Sequence, residues 1–292
     1  MTDGSLCLAS GVLYVGRQDR TAHVRPYDLD GRPLGAGFAC RTPAGELCSL
    51  GGLAVGGDHE IWIADAATNR VRAFNLFGRE LVSFGGIERE RDDARGTLRV
   101  LADLALTGED EEEPALIVAS GGWRRHALHV FDTAGRCLES LRPEGDSQAH
   151  FNGITRVAAH GRWLYVCEAR AGRVQVFRDR EFHFEFRVPV QTGRFEPVAI
   201  APLGDGRVLV ATAGANSALL LVDGAGRLLR VLAERGHEHG QVTEPGDVAV
   251  EIGRSDHDLR AAVIDRDGER VQVFTLEGRC HGELEVLPGR AL

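Results

Sequence analysis

The sequence predicts an all-β chain: a six-bladed β-propeller of four-stranded antiparallel blades. Three observations predict it. A short aliphatic run with a small residue at its centre returns six times. A second and a third apolar run follow each return. A Gly-Arg turn then closes five of the six units.

The first runs are Leu6–Leu8, Leu53–Val55, Leu104–Leu106, Val157–Ala159, Val198–Ile200 and Val248–Val250, centred on Cys7, Ala54, Ala105, Ala158, Ala199 and Ala249. The centres lie 47, 51, 53, 41 and 50 residues apart. The second runs read "VLYVG", "IWIAD", "ALIVAS", "WLYVCE", "VLVAT" and "AAVID". The third read "HVRPYD", "RVRAFN", "LHVFDT", "RVQVFR", "LLLVDG" and "RVQVFT". The turns are Gly31-Arg32, Gly78-Arg79, Gly135-Arg136, Gly226-Arg227 and Gly278-Arg279, whereas the fourth unit has "RDREFHF". A looser fourth run, such as "ELVSF" or "LLRVL", ends each unit. Runs of Val, Leu and aromatic residues punctuated by Gly and Asp read as strands joined by turns.

A lone four-stranded sheet cannot bury both faces, but sheets arranged around a ring cover one another. The innermost strands converge where space is least, which accounts for the small central residue of each. A two-sheet sandwich gives no reason for that spacing. The chain therefore reads as one domain over residues 1–292, with blades near 5–40, 50–86, 101–142, 154–188, 197–233 and 247–286.

Composition narrows the function. The formal charge of −9 opposes a whole-protein grip on nucleic acid or an anionic membrane. All 34 cationic side chains are Arg. The six cysteines form no CxxC pair and no zinc-ligand spacing. The first residues carry no signal-like apolar run, and no stretch approaches membrane-spanning length. A cytoplasmic location is the resulting expectation. In an oxidising compartment Cys40 and Cys48, which flank one short loop, could pair.

"IWIADAATNRVRAFNLFGRELVSFGG", "LYVCEARAGRVQVF" and "AAVIDRDGERVQVFTLEGR" resemble the NHL repeat. The likeness extends over nearly the whole chain, with units two, four and six the better copies. It implies a six-bladed propeller of a kind that mostly serves as a binding platform for proteins or RNA. A minority of related propellers are metal-dependent lyases or lactonases.

Three acid–Arg pairs span the loop between second and third strands: Asp65 with Arg70, Glu168 with Arg173, and Asp265 with Arg270. Five residues apart across a tight loop, each pair reads as a loop staple, with a ligand role as the alternative. In a propeller of this strand order these loops share a face with the between-blade loops, which here are long and polar. That face is the expected binding face. The opposite face carries the Gly-Arg turns and the acidic run Gly108–Pro114.

Two residues before each central small residue stand Ser5, Gly52, Asp103, Arg156, Pro197 and Asp247, a ring at the channel mouth. Arg156 is the one cation of this ring; it reads as a salt bridge to Asp103 or as a clamp for an anionic ligand. Trp123, Arg124 and Arg125 form a cation-and-aromatic cluster suited to gripping a partner. His237 and His239 share one loop, and His150 precedes unit four. Asp103, His150, His239 and Asp247 offer donors for a divalent metal ion such as Ca or Zn, but the histidines do not recur at equivalent positions. There is no Gly-x-Ser-x-Gly elbow, and a chain without Lys has no Walker-type loop.

The leading expectation is a non-catalytic, cofactor-free propeller. It would recognise a protein or a small anionic ligand through Asp103, Trp123, Arg124, Arg125, Arg156 and Asp247. A metal-dependent lyase or hydrolase is the alternative, and single-stranded RNA binding the third reading.

Overall fold

In the computed structural model, residues 4–18, 22–57, 59–86, 98–107, 114–121, 127–141, 150–190, 193–251, 259–265 and 270–285 are described. They form six four-stranded antiparallel sheets, each continuous in sequence. Blade 1 holds β1 (Gly4–Ala9), β2 (Val12–Gln18), β3 (Ala22–Tyr27) and β4 (Phe38–Ala39). Blade 2 holds β5 (Leu50–Val55), β6 (Ile61–Asp65), β7 (Arg70–Phe74) and β8 (Glu80–Gly85). Blade 3 holds β9 (Leu101–Leu106), β10 (Ala115–Ser120), β11 (Ala127–Asp132) and β12 (Cys137–Leu141). Blade 4 holds β13 (Ile154–His160), β14 (Trp163–Glu168), β15 (Arg173–Arg178) and β16 (Glu181–Phe186). Blade 5 holds β17 (Pro197–Pro202), β18 (Val208–Thr212), β19 (Ala218–Val222) and β20 (Leu228–Ala233). Blade 6 holds β21 (Pro245–Val250), β22 (Arg260–Asp265), β23 (Arg270–Thr275) and β24 (Cys280–Glu285).

The core is six layers, one between each pair of neighbouring blades. Each side chain of Leu, Ile, Val or Phe fully buried there contributes about 1.5–3 kcal/mol. The ring closes where β1 lies between β5 and β21. Among the described residues no strand is exchanged at this seam. Leu6, Leu13 and Val15 pack on Ala262, Ile264 and Val271 instead. The approach is so close that a Cβ on Gly4 would sit 2.3 Å from Ile264 Cδ1.

The repeated turn has a local cause. Asp28, Asn75, Asp132 and Asp223 each accept the backbone N–H of the Arg four residues on, at 2.7–3.0 Å. The glycine before that Arg takes φ between +77° and +89° in these turns, a region open to Gly at little cost. Blade 4 uses a different hairpin. Asp179 and Arg180, at φ +52° and +68°, form a two-residue loop between the paired Arg178 and Glu181.

Blade 5 corrects one alignment. Ala201 pairs with Leu209 as Ala158 pairs with Tyr165, so Ala201 holds the central position and Ala199 the position of Arg156. Pro197 instead matches Ile154. "VAIAP" alternates Ala with period two, so a shift of two residues preserves the pattern. With Ala201 in place, the last two intervals become 43 and 48.

Candidate functional site

The inner strands of blades 2 to 6 each carry a register shift near their start: at Leu50/Leu53, Leu101/Asp103, Ile154/Arg156, Pro197/Ala199 and Pro245/Asp247. A bulge bends a strand and re-aims the residue that follows. Here it directs Asp103, Arg156 and Asp247 to the axis, where they meet.

Arg156 is 2% exposed. Its Nη1 donates to Gly51 O at 2.7 Å and to Asp103 Oδ1 at 3.3 Å. Its Nη2 donates to Gly4 O at 3.1 Å and to Gly246 O at 3.4 Å, and lies 3.5 Å from Asp247 Oδ2. One guanidinium from blade 4 thus ties together blades 1, 2, 3 and 6. Asp103 Oδ2 accepts the Val157 N–H at 2.8 Å. Asp247 accepts the Ser5 hydroxyl at 2.7 Å and the Leu6 N–H at 2.9 Å. Both carboxylates therefore also cap the inward edge of a neighbouring inner strand.

The node holds two carboxylates to one guanidinium. Burial pushes the Asp103 carboxyl up to about 7; Arg156 pulls it down, and Asp247 pushes it further up. Gly52 makes room for the node, since a Cβ there would lie 1.9 Å from Asp103 Oδ1.

The acid–Arg staples take a related form. Asp65, Glu168 and Asp265 are fully buried and accept backbone N–H groups of the preceding between-blade loop, from Ser49, Asn152, and Thr243 with Glu244. Glu168 pairs with Arg173 at 2.6 Å and Asp265 with Arg270 at 3.7 Å. In blade 2 the cation is Arg72, at 2.9 Å from Asp65, while Arg70 Nε donates to Ser83. Arg72 stands where blades 4 and 6 carry Gln175 and Gln272, on the same side of the strand as the acid. There it also reaches Glu80 at 2.6 Å. The expected Asp65–Arg70 staple is therefore an Asp65–Arg72 pair.

Of the remaining expected site residues, Trp123, Arg124 and Arg125 lie outside the described residues, as do 108–113 of the acidic run. His150 is exposed, and its carbonyl accepts from Gln175. His239 is 58% exposed in its side chain, with Nδ1 3.6 Å from Glu283. Among the described residues no three His, Cys, Asp or Glu side chains gather as a metal-holding group. The set Asp103, His150, His239 and Asp247 thus pairs two buried, ion-paired carboxylates with two exposed loop histidines. No helix of the described residues is long and apolar enough to cross a membrane.

Beyond the node runs an axial cavity of about 650 Å³. Its lining starts at the buried Ser5, Asp103, Arg156 and Asp247. It continues past half-buried Cys7, Ala9 and Ala158, and ends at His160, Glu251 and the exposed Ser10 and Gly161. Among the described residues the lining is therefore buried at the node and more exposed toward the hairpins joining first and second strands. Sequence reasoning missed that hairpin end. Its only signal was the file of small residues along each inner strand, which show that space exists without showing which end is more exposed.

No family model matches the chain, and no curated protein matches it. Solved structures resemble it in fold. A virginiamycin B lyase from Staphylococcus aureus aligns at TM-score 0.58 and 12% identity, covering 98% of this chain and 85% of that one. A chain of a nidogen/laminin complex aligns at TM-score 0.60 and 13% identity, covering 96% and 92%. A third, KlHsv2 with loop 6CD replaced by a Gly-Ser linker, aligns at TM-score 0.54 and 10% identity, covering 97% and 98%. The class so defined is the six-bladed β-propeller. The finer NHL-repeat likeness rests on the motifs quoted above.

Proposed function

We propose that this chain is a non-catalytic binding propeller that admits a small polar molecule to its axial channel from the hairpin end. The observation that carries the reading is the division of the axis. At the loop-rich end, Asp103, Arg156 and Asp247 are committed to one another and to the backbones of four blades. Past them lies a cavity within the roughly 300–1,000 Å³ range of small-molecule sites. Its walls are the inward edges of inner strands, whose backbone groups have no strand neighbour on that side and suit a hydrogen-bonding guest. Its small side chains leave room for one. A protein partner on the loop-rich face, gripped by Trp123, Arg124 and Arg125, is compatible with the same platform role.

A thermal-shift screen of polar metabolites tests the reading. A ligand that raises Tm in the native chain and in Trp123→Ala, but not in Ala158→Phe, is the expected result. A ligand lost in Trp123→Ala yet retained in Ala158→Phe would move the site to the loop-rich face. Elemental analysis of protein purified without chelator tests the non-catalytic part. One tightly held divalent ion per chain, with Tm lowered by EDTA, would move the metal-dependent lyase or hydrolase reading ahead of it.

A further inference from the structure

The segment between blades 1 and 2 contains a small hairpin that the binding function does not use. Its turn is "TPAGE": Thr42 N–H donates to Glu46 O at 2.9 Å, and Gly45 N–H to Thr42 O at 2.8 Å. Pro43 stands second in the turn, where its fixed φ suits it, and Gly45 takes φ +83°. This three-residue loop fixes the register. Arg41 bridges Leu47, so Cys40 stands directly opposite Cys48, and Cys48 N–H donates to Cys40 O at 3.2 Å.

Residues opposite one another on such a rung point their side chains to the same face. Arg41 and Leu47 point outward; Cys40 and Cys48 point inward, at 0% and 2% exposure, into the layer between blades 1 and 2. The pair shares this one bond, since Cys40 N–H donates to Ala22 O and Cys48 O accepts the Ala22 N–H; directly opposed antiparallel residues stand about 4.5–5.5 Å apart at Cα. Disulfides span about 4.4–6.8 Å between Cα atoms.

We propose that Cys40 and Cys48 are a modification site: a dithiol that an external disulfide such as oxidised glutathione converts to an intramolecular disulfide. One cysteine sulfur, as thiolate, attacks the glutathione disulfide; its S–S bond breaks and one glutathione thiol leaves. The second cysteine sulfur then displaces the other glutathione, forming the Cys40–Cys48 bond. Two protons and two electrons pass from the protein to the two glutathione thiols.

The location gives the bond a role. β4 spans two residues where the outer strands of the other blades span five or six, so the rim of blade 1 is the least laddered in the ring. Cys40 follows β4 directly and Cys48 stands two residues before β5. The bond would latch this thin rim to the start of the next blade.

Both thiols are held protonated by burial. Cys48 is pushed up to about 12, with the Asp65 carboxylate adding to the effect, and Cys40 is raised further. The folded, reduced protein should therefore oxidise slowly, through opening of the hairpin, and quickly during refolding.

The full-length chain is reduced, unfolded and refolded in an oxidising glutathione buffer, then acid-quenched, alkylated and digested for mass spectrometry. The expected result is one internal linkage joining Cys40 to Cys48, lost in Cys48→Ser, with Tm raised by about 5 °C over the reduced protein. Alkylated Cys40 and Cys48 after refolding, or a linkage of either to another cysteine, would overturn the proposal. So would a Cys40–Cys48 bond that lowers Tm, because the native rung would then not fit it.

Discussion

Arg156 holds its place through backbone carbonyls as much as through acids. Removing the guanidinium in Arg156→Met would leave two carboxylates facing each other and three carbonyls without their donor. The expected loss is about 3–5 kcal/mol by urea denaturation. Arg156→Lys should restore little of it, since a single ammonium cannot fork to the same partners. Asp103 gives the node a pH dependence of definite sign. With its folded pKa near 7, above the ordinary carboxylate value, the native state binds a proton between about pH 4 and 7 that the unfolded state has released. Stability from this group is therefore greatest below that window and falls as pH rises through it, by up to about 1.4 kcal/mol per pH unit. Measured against Asp103→Asn, the native chain should gain stability as pH falls from 7.5 to 5. A constant difference would show that Asp103 keeps an ordinary pKa. The sequence revealed Arg156 as the odd cation of its ring and Asp103 as its partner. It could not reveal Gly4 O, Gly51 O and Gly246 O, because carbonyls look alike in every residue and only the closed ring brings them to one point.

Each blade is tied to the loop that enters it by the acid at the end of its second strand, in the three copies closest to the NHL pattern. Asp65 accepts the N–H groups of Ser49 and Ala67 together with the Thr68 hydroxyl and Arg72. Asp65→Ala should cost about 3 kcal/mol by leaving those donors buried and unpaired. Amide hydrogen exchange at Ser49 should quicken, while exchange in blades 4 and 5 stays unchanged. Equal acceleration around the whole ring would mean that the staple has no local role. Strand order and turns were readable because each has a side-chain signature: alternation for strands, an Asx or Thr followed by Gly-Arg for turns. Register was readable only where the pattern is aperiodic. The two alanines of blade 5 fit equally well two residues apart, and only hydrogen bonding to β18 decides between them. The identity of the staple's cation was hidden for a similar reason. Arg70 and Arg72 lie on the same side of β7, and it is the reach to Asp65 and Glu80 that selects Arg72.

A buried node at one end of the axis makes the two faces of the ring inequivalent. Cys7 reports on this directly, because it is half-buried on the cavity wall. In a chain with Cys137 and Cys280 replaced by Ser, methyl methanethiosulfonate should label Cys7 within minutes under native conditions and spare Cys40, Cys48 and Cys167. Filling the bore with Ala158→Phe should slow that labelling at least tenfold. Labelling at an unchanged rate would mean that the reagent arrives from the loop-rich end and that the node does not seal it.

The seam between blades 6 and 1 has the same make-up as the other five joins: side chains of one sheet against side chains of the next. Among the described residues, no connecting segment crosses it. The other joins are crossed by loops of about ten to fifteen residues running from an outer strand to the next inner strand. A linker of similar length from residue 285 to residue 4 would supply the sixth crossing, and the chain could then begin at any blade. Circular permutants opened between β16 and β17, or between β20 and β21, are expected to fold to the same ring. The order in which blades are synthesised is thus separable from the order in which they stand.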